Sequence, residues 1–120
     1  MNALEVINAA RDLLTPLGHP VYIADLLNTD ENGRLQLPED VSHYVIHTIT
    51  GTPEHEWGTT RFASVQLQVN AHSRIEGEAL AMLQAASPTL VAGKFLPGIL
   101  VALARDGPYT GYAQAYERKT

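Results

Sequence analysis

Residues Val65 to Asn70 read Val-Gln-Leu-Gln-Val-Asn, and no other stretch of the chain constrains its fold so tightly. Alternation with a period of two means a strand with one face on a core. Val65, Leu67 and Val69 point one way, while Ser64, Gln66, Gln68 and Asn70 point the other, the pattern of an antiparallel sheet buried on one side only. The alternation stops at Ala71-His72. Ser73-Arg74-Ile75-Glu76 then has the spacing of a capping box, in which the Ser73 hydroxyl accepts from the Glu76 amide and Glu76 reaches back. A strand from Thr60 to Ala71 and a helix from Ser73 are therefore expected. Ile75, Ala79, Met82, Leu83 and Ala86 form the helix's apolar stripe, and Ser87-Pro88 ends it.

The remaining elements follow from the same two periods. Val6, Ala10, Leu13, Leu14 and Leu17 recur at spacings of three and four, which predicts a helix over Asn2 to Leu17 closed by Pro16 and Gly18. Val21-Tyr22-Ile23 reads as a short strand. Asn28 to Asp40 has the turn chemistry of a long loop, within which Leu35 and Leu37 alternate as a brief edge strand would. Tyr44 to Thr50 is β-branched and aromatic, a strand closed by Gly51-Thr52-Pro53. The link Gly51 to Thr59 is too long for a tight turn and predicts a protruding hairpin loop. Gly98 to Arg105 and Tyr112 to Arg118 are the last strands, joined at Asp106-Gly107-Pro108. The order helix, strands, helix, strands defines an α+β fold: a mixed, largely antiparallel sheet with two helices on one face, in a single domain over residues 1–120.

Composition removes several function classes. The 120 residues include no cysteine, so disulfide frameworks and thiolate metal sites are excluded, and a reducing cytoplasm is the natural setting. A formal charge of −5 with eight Lys and Arg argues against a protein that grips nucleic acid through phosphates. No apolar run reaches the roughly 20 residues of a membrane-spanning helix, and the start, Met1-Asn2-Ala3-Leu4-Glu5-Val6, is not that of a secretion signal.

The polar residues form no familiar catalytic set. His43 and His47 share a strand face, but positions i and i+4 of a strand lie about 13 Å apart and cannot share a metal. Glu54-His55-Glu56 has ligand types but sits in a predicted loop, without the further convergent ligands that a closed site needs. Ser64, Ser73 and Ser87 lack a nucleophile elbow, and His72 beside Ser73 reads as a corner residue rather than a general base. Gly93-Lys94 and Gly107-Pro108 lack the glycine spacing of a phosphate loop. No cofactor and no metal are expected. Trp57, in a polar loop, either folds back on the domain or awaits a partner. Tyr109, Tyr112 and Tyr116 admit the same two readings, with Tyr112 and Tyr116 placed on one strand face under a helix. The Ser64, Gln66, Gln68 and Asn70 face is either solvated or part of a subunit contact.

Three blocks carry a resemblance: Ser42-His43-Tyr44-Val45-Ile46-His47, Arg61 through Ser73, and Glu76-Gly77-Glu78-Ala79-Leu80-Ala81-Met82-Leu83. Together with an N-terminal helix before a variable loop and a closing hairpin, they resemble the tail completion or tail terminator proteins of long-tailed bacteriophages and prophages. The resemblance implies a non-enzymatic virion subunit, assembled in the host cytoplasm, that forms a hexameric ring at the head-proximal end of the tail tube. It implies as partners further copies of the chain, the tail tube protein and a head-completion or neck protein, with DNA passing through an acidic lumen without specific binding. Glu54, Glu56, Trp57 and Arg61 at the hairpin, with Tyr109 and Tyr112 in the closing hairpin, are the expected partner contacts. The alternatives are another neck protein of the same virion, or a small hydrolase using Glu54, His55 or His72.

Overall fold

A computed structural model describes residues 3–24, 41–56, 59–105 and 107–119. The elements run α1 (Ala3–Leu14), a 3-10 turn (Thr15–Leu17), β1 (Val21–Ile23), β2 (His43–Glu56), β3 (Thr59–Ser73), α2 (Glu78–Ala92), β4 (Leu96–Ala102) and β5 (Thr110–Lys119). The strands make one sheet in the order β1-β2-β3-β5-β4. β1 is parallel to β2, and every other pair is antiparallel. The fold is α+β, and the predicted Asn28 to Asp40 loop lies outside the described residues.

Strand parity decides where the core sits. Tyr44 and Ile46 of β2, Val65, Leu67, Val69 and Ala71 of β3 and Tyr116 of β5 share one face, and all are buried in one cluster with Val6, Ala10 and Leu14 of α1 and Met82, Leu83 and Leu90 of α2. Both helices therefore cover the same face. The Tyr44 hydroxyl, wholly buried, donates to the Met82 carbonyl at 2.7 Å and ties sheet to helix. Tyr116 is buried and Tyr112 packs against the same cluster, as their shared parity predicts.

The β3-to-α2 corner departs from the capping-box expectation. Ser73 ends β3, and α2 begins five residues later, after Gly77 at φ 80°, a left-handed value that suits glycine. The Ser73 hydroxyl accepts from the Ile75 amide at 3.0 Å rather than from Glu76. Ser42 lies 3.0 Å from Ser73 and donates to the Glu78 carboxylate. Glu78, in the first helical turn, thus joins α2 to the Ser42–Ser73 pair through Ser42, and does not close a capping box. Ile75 is 62% exposed and is not part of the stripe. A tight corner cannot place it there, because the chain must first turn through residues 74–77.

Nor does α2 end at Ser87-Pro88. Pro88 lies inside the helix, which continues to Ala92. Met82, Ala86 and Leu90 follow at intervals of four and are all buried, and burying a leucine is worth about 1.5–3 kcal/mol. That burial, with the terminal contacts of Phe95, offsets the cost of a proline in a helix.

The long hairpin is more regular than foreseen. Pairing of β2 with β3 continues through Pro53↔Phe62 and Glu54↔Arg61 to Glu56↔Thr59, where a loop from Gly51 to Thr59 was expected. Register shifts at Thr48/Thr50 and Thr52/Pro53 admit Gly51 and Pro53 to the ladder, since bulges relieve the demand for regular donors. Trp57 lies outside the described residues.

Candidate assembly surface

The face of the sheet away from the helices carries Tyr22, His43, His47, Gln66, Gln68, Asn70 and His72, as the β2–β3 register His43↔His72, Val45↔Asn70 and His47↔Gln68 requires. The polar side chains partly satisfy one another: Gln68 donates to Asn70 at 2.7 Å, and Asn70 is buried. At one end, His43 is buried, stacked on His72 with ring centroids 5.2 Å apart, and met edge-on by Tyr22 at 5.8 Å and Tyr109 at 5.6 Å. Its Nδ1 lies 2.8 Å from the Val41 carbonyl, an acceptor, so Nδ1 carries the proton. Nε2 is then a buried acceptor with no hydrogen-bond partner among the described residues. Among the described residues no three His, Asp or Glu side chains converge on a metal position.

The two phenols buried in the core are held in their neutral form. Burial, and secondarily the neighbouring Tyr116, pushes Tyr44 up to about 12. Burial likewise raises Tyr116, with a hydrogen bond involving Ser87 acting in the opposite direction. Both phenols face the helices and serve packing.

The sequence-derived contact residues separate into three places. Glu54 and Arg61 stand opposite each other in the ladder, and Glu56 stands opposite Thr59. Tyr109 packs on His43, and Tyr112 sits on the helix-covered face against the core.

A surface that the sequence did not single out lies at the far edge of the sheet. Every residue of β4 is exposed. Ile99 is 75% exposed, Leu96 53%, Val101 46% and Leu100 45%. The strand begins at Leu96 and ends at Ala102, where a strand from Gly98 to Arg105 was expected. A register shift between Pro97 and Leu100 leaves three consecutive partners to β5, at Leu100, Val101 and Ala102. Beside this irregularity runs an open groove of about 270 Å³, lined by Gln66, Leu96, Pro97, Gly98, Ile99, Ala115, Tyr116 and Glu117. No charged residue occurs between Lys94 and Arg105. An edge strand without charge lacks one of the devices that keep edges from pairing, and past Pro97 and the register shift its outward amides and carbonyls can template another strand. The signal was available in Leu96-Pro97-Gly98-Ile99-Leu100-Val101-Ala102, which is apolar at every position and carries no charge.

No protein-family model matches the chain, and no curated protein matches it in sequence.

Proposed function

We propose that the chain is a non-enzymatic structural subunit, a tail terminator that closes into a hexameric ring at the head-proximal end of a phage or prophage tail tube. There it stops tube growth and offers a surface to a head-completion or neck protein. The support for assembly is the bare β4 edge: a soluble subunit that keeps an uncharged apolar edge has a use for it. The support for the particular assembly is the sequence resemblance carried by residues 42–47, 61–73 and 76–83.

The energetics favour a ring over an isolated pair. Covering four β4 side chains, each about half exposed or more, contributes roughly 3–6 kcal/mol at 1.5–3 kcal/mol for each full burial. Association costs an estimated 4–15 kcal/mol, so one such edge holds a pair weakly. Ring closure engages every subunit on both sides. On this proposal the partners are further copies of the chain, the tail tube protein and a neck protein, with the DNA passing unbound through an acidic lumen in the virion.

Native mass spectrometry across a concentration series, with negative-stain imaging, tests this function. A discrete species of six subunits with a central opening is expected. A protein that remains monomeric at the highest concentration overturns it.

A further inference from the structure

We infer that the chain binds a second copy of itself head to tail, the β4 edge of one subunit adding antiparallel to the β1 edge of the next. The inference rests on the assembly function above and names the contact. Strand direction comes first. β1, β2 and β5 run one way and β3 and β4 the other, so the two edges of the sheet are opposite in sense. A copy set alongside without being turned over therefore meets β4 with an antiparallel β1. Repetition of that step keeps every subunit in the same orientation and generates a ring with two different ends.

Backbone groups and faces then select one register. The Leu103 amide donates to the Gly111 carbonyl at 2.9 Å, so by antiparallel alternation Val101 also bonds to β5, while Leu100 and Ala102 turn their amides and carbonyls outward. On the other edge the Tyr44 amide donates to the Pro20 carbonyl at 2.9 Å, which turns Tyr22 toward β2 and leaves Val21 and Ile23 facing outward. Among the described residues β2 is the only strand beside β1. Placing Leu100 opposite Ile23 and Ala102 opposite Val21 pairs outward groups with outward groups. It also puts all four side chains on the helix-covered side of the joined sheet, with Val101 and Tyr22 together on the other side. Had the outward residues of β1 lain on the opposite face, the two requirements would have conflicted. Lengths agree too: the regular part of β4 is Leu100–Ala102, and β1 is Val21–Ile23. Neither segment contains a charge, so two copies of a −5 chain meet where their repulsion is least.

The absence of cysteine permits a direct test. Val101 and Tyr22 of adjacent subunits form the non-hydrogen-bonded pair, with Cα atoms about 4.5 Å apart, within disulfide reach. Val101→Cys combined with Tyr22→Cys in one chain, oxidised at the concentration where the wild type assembles, should give a ladder of covalent oligomers up to the full ring. Each single variant should give none. A covalent dimer from Val101→Cys alone means that β4 pairs with β4 about a two-fold axis and overturns the inference. If the double variant does not fold, Ala102→Pro reads the same contact, since it removes an outward amide and leaves the β5 ladder intact. Its circular dichroism should match the wild type while the ring mass is lost. Oligomers that survive Ala102→Pro, or that form without the ladder, overturn the β4–β1 contact and leave the assembly function standing. A wild-type chain that never assembles overturns both.

Discussion

The amide of Phe95 donates to the carbonyl of Leu90 at 3.0 Å, and the turn that brings them together depends on Lys94 at φ 71°. With the Lys94 amide on the Val91 carbonyl, also at 3.0 Å, this is a Schellman ending whose left-handed position holds a lysine instead of the usual glycine. A left-handed residue with a Cβ costs roughly 1–2 kcal/mol, and the larger unfolded-state entropy of glycine returns part of that. Lys94→Gly is expected to stabilise the fold by about 0.5–1 kcal/mol, measured as a higher denaturation midpoint at unchanged m-value.

Ser42, Ser73 and Glu78 form a linked polar group where β2, β3 and α2 meet, with the Thr110 hydroxyl donating to the Ser73 carbonyl at 3.1 Å from β5. Ser73 is fully buried, so the group has little access to replacement water. Glu78→Ala removes the acceptor at the end of the Ser42–Ser73 link and should cost about 1–3 kcal/mol. Glu76→Ala should change stability by less than about 0.5 kcal/mol, since Glu76 is exposed. Urea unfolding of the two variants side by side separates the observed corner from a capping box.

Tyr44 links pH to folding. Its phenol is pushed up to about 12 by burial and then by Tyr116, from an ordinary value of 10.0. Between those values the folded state keeps a proton that the unfolded state releases, so stability is fully present below pH 10 and falls as pH rises toward 12. The loss is on the order of 2–3 kcal/mol. Tyr44→Phe removes that part of the alkaline dependence, and loses about 1 kcal/mol at neutral pH with the bond to Met82. Unfolding midpoints from pH 8 to 12 measure both effects.

How far the sequence carried the fold depended on whether one signal or two acted at a position. Val65, Leu67 and Val69 had only their alternation to obey, and β3 lies where it should. At Pro88 two signals competed: proline says stop, whereas the interval from Ala86 to Leu90 says continue, and only the packed core shows which wins. Gly51 and Pro53 misled in the same way, because a bulge absorbs both. The β4 edge was legible as a strand but not as a surface. Whether its apolar residues are covered depends on its place at the edge of the sheet, and that is a property of strand order, not of the seven residues themselves. His43 was legible as a strand residue, and its contacts with Tyr22, His72 and Tyr109 were not, since they join positions far apart in the chain.

Ile99 offers a way to separate assembly from folding. It is 75% exposed and sits within the β4 irregularity, so it contributes little to the subunit's own core. A lysine there places a charge in the middle of an edge that lacks one, the means by which natural sheets block pairing between edges. The monomer's unfolding free energy should move by less than about 0.5 kcal/mol. The oligomer should weaken sharply, because the ammonium would have to be desolvated inside the contact or displace the neighbouring strand. Sedimentation velocity of Ile99→Lys against wild type, at equal concentration and with matched circular dichroism, should therefore show a shift to the monomer. An unchanged distribution of species would place the contact between subunits elsewhere on the molecule.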